Sequence, residues 1–96
     1  MNIEKSITLN IPGDLSDSDW DKVMSVYRNM DGWIEGHDLP YWFGTEQNEI
    51  FITASVEPSG LVIFGKVNDL IWIGWLTKLC AKLTKALNKE IYDAGV

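Results

Sequence analysis

Histidine and cysteine occur once each in these 96 residues, as His37 and Cys80, and each scarcity removes a class of chemistry. One cysteine cannot close a disulfide within the chain, so a disulfide-stapled scaffold is excluded. One histidine with no second His or Cys beside it lacks a metal-ligand pattern, and no metal is expected. Long apolar runs are also missing: the longest, Leu70 to Leu76 (LIWIGWL), has seven residues, against the ~20 that a bilayer-crossing helix needs. The start MNIEKSITLNIPG has neither the basic opening nor the apolar run of a secretion signal, so a cytoplasmic location without membrane association is expected. Gly32, Gly36 and Gly44 lack the spacing of a dinucleotide fingerprint and a Gly-Lys-Ser/Thr ending. No catalytic motif is present, so neither an enzymatic activity nor a cofactor is expected.

What the chain has is tryptophan and a divided charge. Hydrophobic residues at 46% and charged residues at 23% are ordinary globular values, and residues 1–96 read as one domain. Five Trp are many for one small core, and Trp is enriched at interface anchor points as well as in cores. Residues 14–57 carry ten carboxylates (Asp14, Asp17, Asp19, Asp21, Asp31, Glu35, Asp38, Glu46, Glu49, Glu57) against Lys22 and Arg28, a net charge of −8. From Lys66 onward five lysines face three acids. A concentrated negative field repels nucleic acid and suits a basic protein partner.

Periodicity supplies the elements. Ile3, Ile7, Leu9 and Ile11 share one parity over residues 3–11, which predicts a half-buried strand ended by Pro12-Gly13. Ser16 is placed to cap a helix whose first turn holds Asp17 and Asp19, with Leu15 and Trp20 set as a hydrophobic staple. Trp20, Val23, Met24, Tyr27 and Met30 continue that helix to about Asn29. Residues 31–49 are irregular, with a short strand expected over Tyr41–Thr45. Ile50 to Glu57, Pro58-Ser59-Gly60 and Leu61 to Val67 read as a hairpin, and apolar residues on both parities of its second arm predict a central strand. Asn68 or Asp69 caps a last helix in which Trp72, Leu76, Leu79, Leu83 and Leu87 repeat at helical spacing, opposite Lys78, Lys82, Lys85 and Lys89. Asn88 ends it, leaving residues 90–96 as a tail or edge segment. The order β-α-β-β-β-α predicts an α+β two-layer sandwich, an antiparallel sheet of about four strands with both helices on one face.

The acidic and aromatic stretch is the candidate partner-binding surface: Asp31, Trp33, Glu35, His37, Asp38, Tyr41, Trp42, Glu46 and Glu49 combine apolar anchors with charges able to accept Arg or Lys. Two alternatives use the same loop. Glu35, His37 and Asp38 could form an acid-base or ligand pocket beside Tyr41 and Trp42, and Cys80 with His37 and Asp38 could make a nucleophilic triad, although Leu79-Cys80-Ala81 lacks the Gly-rich surroundings of an exposed nucleophile. A homodimer through the apolar start of the last helix (Ile71, Trp72, Ile73, Trp75) is a third alternative.

Small, acidic, Trp-rich and built as one α+β domain, the chain resembles the immunity proteins of bacterial contact-dependent inhibition and related polymorphic toxin systems. Glu57-Pro58-Ser59-Gly60, and Gly74-Trp75-Leu76-Thr77 with Leu79-Cys80, are similar to small bacterial proteins of such gene neighbourhoods. The resemblance implies a cognate toxin domain, often a nuclease with a basic active-site cleft, held inactive by occlusion. It carries over no binding residue; the surface above is nominated by charge.

Overall fold

The computed structural model describes residues 2–94. Its elements are β1 (Ile3–Leu9), α1 (Asp17–Arg28), β2 (Tyr41–Trp42), β3 (Phe51–Glu57), β4 (Gly60–Val67) and α2 (Asp69–Leu87). The strands pair antiparallel in the order β1-β4-β3-β2. β4, whose two parities are both apolar, is indeed flanked on either side. The Glu57↔Gly60 pair closes the β3–β4 hairpin around Pro58-Ser59.

Register sorts the side chains onto two faces. One carries Ile7, Ile63 and Ala54 in one row and Leu9, Leu61 and Val56 in the next. A third row runs Lys5, Gly65, Ile52, Trp42. Both helices cover this face: the Trp42 indole donates to the Tyr27 carbonyl of α1 at 3.0 Å and stacks edge-on to Trp75 of α2 at 4.8 Å between ring centroids. Gly65 makes the close approach between layers. A Cβ there would lie 3.2 Å from the Trp72 ring and 3.0 Å from the Phe51 carbonyl, so the missing side chain leaves the space into which Trp72 settles. The opposite face carries Ser6, Thr53, Phe64 and Tyr41 across the sheet, with no helix over it.

The helices begin and end where their caps dictate. Ser16 accepts from the Asp19 amide at 3.2 Å, with Asp17 and Asp19 in the positively polarised first turn. Asn68 accepts from the Ile71 amide at 2.9 Å, and Asn88 closes α2 in the left-handed conformation at φ 52°. Lysines of α2 then reach the end of α1: Lys82 donates to the Asn29 carbonyl at 3.1 Å, and Lys78 pairs with Asp31 at 3.0 Å.

Two boundaries differ from the sequence reading. The strand expected over Tyr41–Thr45 stops at Trp42, because Phe43 turns to φ 69° and takes the chain out of the sheet. β1 ends at Leu9 rather than Ile11. Beyond it the C-terminal segment runs alongside: the Asn10 amide donates to the Tyr92 carbonyl at 3.1 Å, the Ala94 amide donates to the Thr8 carbonyl at 2.7 Å, and Leu9 bridges Asp93. This segment covers part of an edge that would otherwise offer free backbone groups.

Candidate protein-docking surface

After α1 the chain doubles back along the free edge of β2. The Phe43 amide donates to the Gly32 carbonyl at 2.8 Å and the Ile34 amide to the Tyr41 carbonyl at 3.0 Å, while Trp33 bridges Trp42. Gly32 is required there. Its φ is +86°, and a Cβ would sit 2.7 Å from the Phe43 ring. Residues 35–40 project as the connecting loop, tied to β3 by the Thr53 hydroxyl donating to the Pro40 carbonyl at 2.8 Å.

This pairing carries the nominated aromatic anchors inward. Trp42 is fully buried, edge-on to Tyr27, Trp33 and Trp75, and offers a partner no surface. It is a core residue, contrary to its nomination as an anchor, because its parity on β2 faces the helices. Tyr41 is also buried, on the other face, where its hydroxyl donates to Glu46 at 2.9 Å; that bond, then burial and the Glu46 charge, raise the phenol pKa above its ordinary value. Trp33 is partly buried against the core, and no partner among the described residues reaches its indole nitrogen.

The carboxylates remain outside but do not gather into one patch. Asp31 lies beside the start of α2, paired with Lys78. His37, Tyr41 and Glu46 meet on the helix-free side of the sheet around an open depression of about 320 Å³. Glu35, Asp38 and Glu49 are exposed and make no hydrogen bond or ion pair among the described residues. The proposed Glu35, His37, Asp38 pocket is therefore not assembled: the ring contact of His37 is the edge of Tyr41 at 5.4 Å. No group of three His, Cys, Asp or Glu suited to a metal occurs among the described residues. Cys80 stays half-buried on α2, its thiol pKa pushed up by burial and by the charge of Asp93, and makes no contact with His37 or Asp38.

A second feature was not apparent from the sequence. On the helix side of the 35–40 loop, Trp20 and Met24 of α1, Leu39 and Pro40 of the loop, and Val56 of β3 border an apolar crevice of about 240 Å³. Leu39 is 52% exposed and Val56 49%. Asp17 and Asp21 precede Trp20 and Met24 by one turn of α1, Asp38 precedes Leu39, and all three are exposed. Glu57 follows Val56, and its parity turns it to the helix-free face, where it accepts from the Ser55 hydroxyl at 2.6 Å. Leu39, alone in an irregular loop and outside any periodic stripe, was the one signal in the sequence.

No family model, curated protein or solved structure matches this chain. Function rests on what the surface can do. An apolar crevice within an acidic stretch of chain can desolvate one inserted side chain while the carboxylates of that stretch attract cations at longer range. The depression at His37 is open and polar, and no group among the described residues bonds to the imidazole there.

Proposed function

We propose that this protein is a cytoplasmic immunity-type inhibitor that neutralises a cognate basic toxin domain, of the nuclease kind, by covering its active site. One observation carries the reading: the apolar crevice between α1, the 35–40 loop and β3 is lined by the exposed Leu39 and Val56 and lies within the stretch 14–57, whose net charge is −8. Its chemistry mirrors a phosphate-binding cleft, where Lys and Arg surround the substrate; carboxylates on the inhibitor would take the place of phosphates. Leu39 and the crevice floor supply the desolvated centre, and the carboxylates speed encounter and reject acidic surfaces. Glu46 and Glu49 extend the field around the loop.

The lysine stripe of α2 fits this reading better than nucleic-acid binding. Lys78, Lys82 and Lys89 bond to Asp31, the Asn29 carbonyl and the Asn10 carbonyl of the same chain. No helix among the described residues is long and apolar enough to cross a membrane.

The test is co-purification with a cognate basic toxin domain, followed by titration of that domain's activity. Stoichiometric loss of toxin activity is expected. Leu39→Ala should weaken binding by roughly 30-fold, as for a centrally placed anchor, with an unchanged melting temperature. Failure to bind the domain, or full-strength binding by Leu39→Ala, counts against this face.

A further inference from the structure

Tyr27 of α1 has its hydroxyl sealed inside the protein with nothing to bond. The residue is 3% exposed, and no partner among the described residues reaches that oxygen. Buried polar groups normally find a partner, and one left without carries a cost that phenylalanine at the same place would avoid. Tyr27 also borders the crevice of about 240 Å³ at Leu39. The remaining walls are apolar, from Trp20 and Met24 of α1 to Pro40, Val56 and Leu61. Ser55, the other residue there with a polar side chain, is already committed: its hydroxyl donates to Glu57 at 2.6 Å. An open apolar slot and an unpartnered hydroxyl thus belong to the same place.

We propose that the crevice receives one tyrosine side chain of the partner, whose phenol hydroxyl bonds to that of Tyr27. The inference rests on the inhibitor reading for the partner that supplies the side chain. Size favours a single ring. The space falls below the roughly 300 Å³ at which pockets for whole small molecules begin, while an apolar cavity of about 150 Å³ already admits benzene. Polarity narrows the choice further. One hydroxyl can satisfy another, since each is both donor and acceptor. A guanidinium or an ammonium brings several N–H donors, and either charge would be stripped of water against walls that offer only that one oxygen. A carboxamide would leave most of its donors and acceptors unmet. An aliphatic or phenylalanine side chain would fill the slot yet leave the Tyr27 hydroxyl as it is. The partner's basic residues are then left for the exposed carboxylates outside, the usual division between an interface's rim and its desolvated centre. Tyrosine suits that centre, with an apolar body and one polar tip.

The crevice can be probed on the full chain without the toxin, so this proposal and the inhibitor reading fail independently. p-Cresol and toluene stand in for the tyrosine and phenylalanine side chains, each titrated by amide-resolved NMR into the parent and into Tyr27→Phe. p-Cresol should shift the amides of Trp20, Leu39 and Val56. Toluene leaves water more readily, so the readout is the ratio of the two affinities within each protein. That preference for p-cresol should fall roughly five- to ten-fold in Tyr27→Phe, the size of one net hydrogen bond. An unchanged ratio overturns the proposal, because the hydroxyl then takes no part. No shift at the crevice, or tighter binding there by n-butylguanidinium, the arginine stand-in, overturns it equally.

Discussion

Tyr27 buries a hydroxyl that no partner among the described residues satisfies, and burial pushes its pKa well above the ordinary tyrosine value. An unsatisfied buried hydroxyl costs about 1 kcal/mol or more, so Tyr27→Phe should stabilise the fold by roughly that amount in urea denaturation. The sign with pH follows from the same burial. In the unfolded chain the phenol ionises near pH 10, whereas in the folded chain it stays protonated there. Above that pH the unfolded state binds fewer protons, and stability should fall by at most about 1.4 kcal/mol per pH unit for this group. Tyr27→Phe should lessen that alkaline loss. It should not abolish it, because Tyr41 is raised in the same direction by its bond to Glu46. Gly32 is the position least open to change: Gly32→Ala combines an unfavourable positive φ with a collision against Phe43, and should cost about 1 to 3 kcal/mol. A melting temperature equal to the parent's would contradict the close contact described here.

The caps and stripes that define the helices were legible in the sequence because each depends on neighbours a few residues away. Ser16 with Asp19 and Asn68 with Ile71 are contacts three residues apart, and Ser16→Ala or Asn68→Ala should each cost about 1 kcal/mol. The hairpin and the central place of β4 were legible for the same reason, since parity is local. The stretch 31–49 was not. Whether an aromatic there faces in or out depends on the register of Trp42 opposite Ile52, a pairing set by the whole sheet. Trp42 and Tyr41 are adjacent, and alternation sends one to the helices and the other to the opposite face. The acids were read correctly as exposed. Their division among the start of α2, the His37 depression and the crevice follows from the chain doubling back along β2, which residue spacing does not reveal. Trp42→Ala should accordingly cost about 3 to 5 kcal/mol of stability, as a core truncation does. Loss of partner binding at low temperature without loss of stability would place that indole at an interface instead.

Viewed as one body, the molecule divides its charge by element. The α1 start, the 35–40 loop and the hairpin end carry exposed carboxylates. Two lysines of α2, Lys78 and Lys82, and Lys89 just beyond it are tied to acceptors on other parts of the chain. Long-range attraction to a cation-rich partner would therefore come from the stretch 14–57. The most direct measurement is the association rate with the basic toxin domain by stopped flow across ionic strength, comparing Asp21→Lys, Asp38→Lys and Lys85→Glu with the parent. At low salt the two acid reversals should each slow association several-fold, approaching ten-fold, with the difference fading by about 0.5 M salt as screening shortens the field. Lys85→Glu should leave the rate nearly unchanged. Equal slowing by all three, or rates indifferent to salt, would mean that the crevice at Leu39 is not where the partner lands.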